Sequence, residues 1–310
     1  MKHTIRIASR KSPLALIQAN LVKDKLEFLY PDANITIIGM TTEGDRRLGM
    51  PLATVGGKGL FVKELEQALL SNEADLAVHS MKDVPVTIPA GLSLEIICKR
   101  EDPRDVFIAN HYQKLMDLPQ GAHIGTASLR RQCQLMSLRP DLKITVLRGN
   151  VQTRLARLDA NDFDAIILAA AGLIRLQLQA CIKEYFQPDS FIPAPGQGAL
   201  GLECRQEDHE LIKLLQPLHH QPTEICVAAE RAVNFYLQGG CQVPIAAYAE
   251  MHENDLRVIG LVGNPNGTEI LMQEKRGPTK DAENMGKALA LDLLAQGADK
   301  ILQEVYRQHG

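Results

Sequence analysis

The chain lacks most of the features that mark a specialised class. Its six cysteines (98, 133, 181, 204, 226 and 241) include no C-x-x-C pair, so a zinc ribbon and a thioredoxin-like redox centre are both excluded. Cysteines so widely spaced read as free thiols, mostly buried, in a reducing compartment. His219, His220 and Cys226 meet no zinc spacing rule, and no metal is expected. No apolar run is long enough for a bilayer: the longest, Ala165 to Ile174, is roughly half of what a spanning helix needs. Charge is nearly balanced, with 34 Lys and Arg against 37 Asp and Glu and a net charge of −3. That excludes bulk attraction to nucleic acid or an anionic membrane. Arg6 and Arg10 interrupt the segment where a signal peptide needs its apolar region. A cytoplasmic protein without membrane or nucleic-acid partners is expected.

What is present is ordinary globular material, 45% hydrophobic and 23% charged over 310 residues, enough for two or three domains. The first two-thirds alternates strand and helix signals. "TIRIAS" alternates with period two and runs into a helix that starts at Ser12-Pro13 and ends before Pro31. The pattern repeats through "ADLAVHS" and "LSLEIICKR", restarts after "REDPRD", and continues through "AHIGTASLRRQCQL", "KITVLRGNVQTRL" and "AIILAAAG". This predicts two similar α/β sheets with mainly parallel strands, joined near residues 99–104. From about residue 222 a helix is followed by three consecutive strand signals separated by turns such as "GNPNG". A C-terminal α+β domain with a three-stranded antiparallel sheet is expected there.

In open α/β sheets, chemistry gathers where strands end and helix N-termini begin. Those junctions here are basic: Arg10-Lys11, Lys82, Arg130-Arg131, and Arg148 with Arg154. Cations in a first helical turn oppose the helix dipole. Four such junctions point to a multivalent anionic ligand, and the excess of arginine there suits flat carboxylates gripped by paired hydrogen bonds. The phosphate motifs fail. "VGGKGLF" has Gly59 where a P-loop needs Ser or Thr, and "GQGALG" (Gly196 to Gly201) precedes a strand rather than a helix. Its glycines are expected to form a tight crossing between domains. Asp83 is the one acid within the basic set; held among cations it stays ionised, able to stabilise a developing positive charge or shuttle a proton. The stretch from Thr41 to Gly59, with five glycines, reads as a mobile lid.

"HSMKDVP", "GTASLRRQCQL", "LRGNVQTRL", "AAAGLIRL", "PAPGQGALGLECR", "AERA" and "GGCQVPI" occur here in one order. In that register the chain resembles, end to end, the porphobilinogen deaminase (hydroxymethylbilane synthase) family. The resemblance implies two periplasmic-binding-protein-like lobes with a cleft between them and a C-terminal domain that anchors a cofactor. Residues 1–98 with 198–217 correspond to the first lobe, with Asp83 and the lid loop 41–59. Residues 99–197 correspond to the second, and 218–310 to the cofactor-anchoring domain. It implies a monomeric cytosolic transferase of tetrapyrrole (haem-type) biosynthesis that joins four porphobilinogen molecules head to tail, each losing ammonia, to give hydroxymethylbilane.

The resemblance further implies a dipyrromethane cofactor held by a thioether to Cys241, with Gly239 and Gly240 letting the backbone turn beside the sulfur. It implies catalysis by Asp83. Around the cofactor it places Lys82, Ser80, Thr126, Ser128, Arg130, Arg131, Lys58 and Gly149. Around substrate it places Arg10, Ser12, Gln18, Phe61, Arg148, Arg154, Arg175 and Gln197. Thr54 stands where the family commonly has lysine, and Ala127 where it frequently has serine. Two other readings stay open on the residues alone. One is a binding module with an anion-lined cleft and no chemistry. The other is a thiol enzyme using Cys241, which has no candidate base nearby in sequence.

Overall fold

The computed structural model describes residues 4–46, 59, 61–240, 243–253 and 255–309. The chain runs β1 (Thr4–Arg10), α1 (Pro13–Leu29), β2 (Asn34–Met40), α2 (Glu43–Arg46), α3 (Lys63–Leu70), β3 (Leu76–Ser80) and β4 (Leu92–Ile97). It continues through β5 (Asp105–Ile108), β6 (His123–Gly125), α4 (Leu129–Leu138), β7 (Lys143–Thr145), α5 (Val151–Asp159), β8 (Ala165–Ala169), α6 (Ala170–Arg175) and β9 (Glu184–Tyr185). Then come β10 (Leu200–Arg205), α7 (His209–Leu215), α8 (Gln221–Tyr236), β11 (Ile245–His252), β12 (Asp255–Gly263), β13 (Ile270–Pro278), α9 (Ala282–Ala295) and α10 (Ala298–His309). Two compact units form. One comprises the described residues up to Glu101 together with Ala199–Glu224; the other comprises the described residues of Asp102–Gly198 and those from Ile225 onward.

In the first unit the sheet order is β2-β1-β3-β10-β4. β1 is parallel to both β2 and β3, while β10 is antiparallel to its neighbours β3 and β4. Four of the five strands therefore share a direction, as "mainly parallel" predicts, with β10 reversed. α1 starts as its sequence dictates: the Ser12 hydroxyl accepts from Ala15 N at 3.4 Å and Pro13 fills the first helical position. Its buried residues, Gln18, Ala19, Val22 and Leu26, lie on one face against β1, β2 and β3.

The second unit holds a sheet of order β7-β6-β8-β5-β9, in which β5 is the reversed strand. In both sheets the reversed strand is the first one formed after the chain has left the other sheet. β5 and β9 were not legible as strands, since four and two residues are too short to display a period.

The same unit carries the antiparallel meander β11-β12-β13. α8, α9 and α10 contribute Val233, Leu289, Leu293 and Leu302 to a shared core with Val258 and Val262 of β12. At Gly286 a Cβ would lie 2.2 Å from the Ala229 carbonyl oxygen, so glycine is what lets α9 approach α8. A second cluster joins this sheet to the preceding one: Cys133 and Ile192 pack against Ala246, Ile259 and Leu261. Beside it Arg257 pairs with Asp189 at 2.6 Å as well as with Glu250 and Glu274.

Candidate active site

β3 ends at Ser80, and the chain enters a single 3₁₀ turn, Met81–Asp83. His79, Ser80 and Met81, which lead to Asp83, are each fastened. The His79 ring Nε2 lies 2.8 Å from Glu203 Oε2 of β10, with both side chains buried. Gln18 Nε2 donates to the Ser80 hydroxyl at 3.0 Å, and Met81 N donates to Ala199 O at 3.0 Å. Asp83 itself is half-buried, and its carboxylate has no hydrogen bond or ion pair among the described residues. A rigid frame thus presents a free carboxylate, and Lys82 beside it is also half-buried.

Arg10, at the end of β1, is engaged within the unit. Its guanidinium pairs with both carboxylate oxygens of Asp45 and lies 4.3 Å from the Phe61 ring centroid. Phe61 in turn fills the space over Gly44, where a Cβ would come within 2.3 Å of its ring. Burial pushes the Asp45 carboxyl up. The Arg10 and Thr42 hydrogen bonds outweigh it and hold the group below its usual value. The resemblance places Arg10 at substrate; Asp45, 35 residues away in the chain, is a partner that it does not imply.

In the second unit, α4 begins at the end of β6, and the Ser128 hydroxyl caps it by accepting from Arg131 N at 3.4 Å. The Thr126 hydroxyl accepts from Ser128 N at 3.2 Å. Arg130 and Arg131 turn inward and are only 5% exposed. Arg130 Nη1 donates to Asp105 Oδ2 at 2.6 Å and to Ile192 O at 2.7 Å. Arg131 Nε reaches Asp105 Oδ1 at 3.0 Å, and its Nη1 donates to Ile167 O at 2.8 Å. Gln197 Nε2 donates to the same carboxylate at 3.1 Å and to Pro103 O at 2.7 Å. The resemblance places Arg130 and Arg131 at the cofactor and Gln197 at substrate; in the structure all three share an internal partner, Asp105, that it does not imply. Burial pushes the Asp105 carboxyl up, but the two guanidinium charges and the Gln197 amide bring it down to about 2. Two buried cations share one anion, so the cluster keeps a positive charge.

Arg148 follows β7 and is half-buried. Its Nη1 is fully enclosed and has no hydrogen-bond partner, and burial alone lowers the affinity of this guanidinium for its proton. Gly149 has φ +111°, a backbone that favours glycine, and Asn150 caps α5 by accepting from Thr153 N at 2.8 Å. Arg154 Nε donates to Gly149 O at 2.9 Å, and Arg175 Nη2 to Gly198 O at 2.7 Å. Gly196 and Gly198, with φ of +72° and +90°, take the left-handed backbone that favours glycine ahead of β10. The Gly196 amide is held by Glu230, fully buried on α8, whose other oxygen accepts from Ala249 N at 2.8 Å.

Cys241, Lys58 and Thr54 lie outside the described residues, as does most of the expected lid. On the approach to Cys241, the left-handed position after α8 is Gln238, with φ +54°, rather than either glycine. Gly239 serves close approach instead: a Cβ there would lie 1.9 Å from Asn234 Oδ1. Around Gly240 the space is open.

Solved structures resembling the chain are distant. One is the periplasmic aliphatic sulphonate binding protein SsuA of Escherichia coli (16% identity, 77% of this chain and 71% of that one, TM-score 0.42). Another is a Salmonella typhimurium periplasmic binding protein of high arginine specificity (13% identity, 70% and 91%, TM-score 0.40). Likeness at this level has no bearing on what the chain binds. The family models are decisive: the dipyromethane cofactor binding domain of porphobilinogen deaminase matches residues 5–213, and the C-terminal domain of the same enzyme matches 224–295. With two-thirds of its length matched by the first domain alone and most of the rest by the second, the chain belongs to the porphobilinogen deaminase family.

Proposed function

We propose that Asp83 is the catalytic carboxylate of this transferase and that the basic residues described above hold its acidic substrate and cofactor. The activity follows from the family: four porphobilinogen molecules are joined head to tail with loss of ammonia, giving hydroxymethylbilane for tetrapyrrole biosynthesis. The observation that carries the assignment is the unpartnered Asp83 carboxylate at the end of a fully fastened strand. An anion so placed accepts the pyrrole N–H and stabilises the positive charge that grows on the ring as the amine departs. It then takes the proton from the ring carbon that has been attacked.

The donor set fits a dipyrromethane bearing acetate and propionate groups. The Arg130–Arg131–Asp105 cluster retains positive charge, and Arg148 Nη1 is enclosed without an acceptor. In this reading Lys82, Ser80, Thr126, Ser128, Arg130, Arg131, Lys58 and Gly149 surround the cofactor, and Cys241 attaches it by a thioether. When bound, that group supplies the ring carbon to which the first substrate is joined. Arg10, Ser12, Gln18, Phe61, Arg148, Arg154, Arg175 and Gln197 orient substrate and growing chain through its carboxylates. Lobes of 1–98 with 198–217 and of 99–197, with an anchoring domain of 218–310, divide these duties.

A cytoplasmic monomer acting on a small molecule completes the reading. The five described cysteines are free thiols, as a reducing compartment keeps them. No helix among the described residues is long and apolar enough to cross a membrane.

Asp83→Asn tests the assignment. Removal of one such preorganised group lowers kcat by about 10²–10³-fold, with an unchanged unfolding midpoint. Turnover within about tenfold of wild type, roughly 1.4 kcal/mol of barrier, removes Asp83 from this role.

A further inference from the structure

Two buried ionisable side chains, His79 on β3 just before Asp83 and Glu203 on the adjoining β10, take no part in the chemistry described. β3 and β10 pair antiparallel with Gly201 opposite His79 and Glu203 opposite Ala77. His79 and Glu203 are thus diagonal neighbours on one sheet face. Their side chains are 4% and 1% exposed, and Nε2 to Oε2 is 2.8 Å. Glu203 Oε1 is enclosed and accepts no hydrogen bond. β10 is otherwise apolar and buried along its length, from Leu200 to Cys204. An acid there is the least expected residue, because a buried ion pair adds little stability over an apolar pair of the same shape.

Glu203 also acts on its surroundings. Burial raises the Glu66 carboxyl of α3, and the Glu203 charge raises it further, with His79 opposing. What a buried pair does supply is register. Slipping β3 by one residue against β10 turns His79 to the other face and leaves Glu203 buried without a partner. The same slip moves the β3 end, and Asp83 with it, by about 3.3 Å. Apolar neighbours resist a slip less: Ala77 and Val78 are small or interchangeable in a buried sheet. Gly201, opposite His79, has its own constraint, since a Cβ there would lie 2.3 Å from Met81 Sδ. That contact brings Met81, two residues before Asp83, directly onto β10.

We propose that the buried His79–Glu203 pair is a register pin between β3 and β10, and that Glu203 is a positioning residue for Asp83. This rests on the reading of Asp83 as the catalytic carboxylate. Asp83 stabilises positive charge that develops only in the transition state, whereas the arginines bind carboxylates in ground state and transition state alike. Misplacement of Asp83 therefore lowers kcat and leaves KM in place.

Two variants of the holoenzyme test it. Glu203→Gln keeps the shape and removes the charge. The double variant His79→Leu/Glu203→Met leaves no buried charge behind and keeps the fold accessible if the single variant does not accumulate. The pin predicts a kcat reduced on the order of tenfold in both, with KM within about twofold and, in the apolar double variant, an unfolding midpoint at or above wild type. Unchanged kcat in the double variant overturns the proposal. So does a kcat loss that simply follows a fall in unfolding midpoint, which marks the pair as structural. Asp83→Asn is assayed alongside. If it retains turnover, the reading of Asp83 has failed; if it is inactive while the pair variants turn over normally, only the pin has failed.

Discussion

Asp105→Asn isolates the electrostatics of the second sheet. Asp105 is fully buried, with Arg130 Nη1 at 2.6 Å, Arg131 Nη2 at 2.8 Å and Gln197 Nε2 at 3.1 Å. Its carboxyl lies at about 2 against an ordinary value of 3.8. At 1.36 kcal/mol per pKa unit, the ionised form is favoured in the fold by about 2 kcal/mol. Neutralising it also strands two buried guanidinium groups, and breaking a buried pair in this way costs about 3–5 kcal/mol. That is a large share of a typical stability of about 5–15 kcal/mol. Because the folded pKa is lowered, the contribution is complete above the unfolded value and disappears as pH falls through the folded one. Urea unfolding of wild type and variant should therefore show a constant gap from pH 7 to about 4 that narrows toward pH 2. A gap below about 1 kcal/mol at pH 7, or one already narrowing between pH 7 and 5, refutes the reasoning.

Arg148→Met should affect stability and binding in opposite directions. Removing a half-buried cation without an acceptor stabilises the ligand-free chain by a few tenths to about 1 kcal/mol. Loss of one charge-assisted bond raises KM for porphobilinogen about 10- to 100-fold; a destabilised variant with normal KM contradicts this. Gly286→Ala sets roughly 1 kcal/mol of gained helix propensity against overpacking of about 1–3 kcal/mol, because its Cβ meets the Ala229 carbonyl at 2.2 Å. Thermal denaturation should show a lower midpoint, and a higher one shows that α9 moves aside.

Periodicity revealed whatever was long enough to have a period. α1 was marked by Ser12, Pro13 and Pro31, and the C-terminal meander by its turns. The reversed position of β10 and the existence of β5 depend on pairings between distant segments, which local pattern does not record. The same limit applies to the site. The basic junctions singled out Arg10, Arg130 and Arg131, but not that Asp45 and Asp105 would claim them. One signal was readable and passed over: Glu203 stands inside "LGLECR", an acid in a strand otherwise apolar through Cys204, where a buried partner had to exist. The role proposed for Asp83 was suggested by its place among basic residues and made specific by motif register; that proposed for Cys241 came from the register alone, since an isolated thiol has no spacing to interpret.

In the function proposed above, this chain builds hydroxymethylbilane on a cofactor fixed to Cys241. Intact mass under denaturing conditions tests it most directly, with wild type and Cys241→Ser each measured before and after incubation with porphobilinogen. Wild type should carry a two-pyrrole adduct that lengthens one ring at a time with substrate, and Cys241→Ser should carry none. A wild-type chain that is unmodified yet fully active contradicts it.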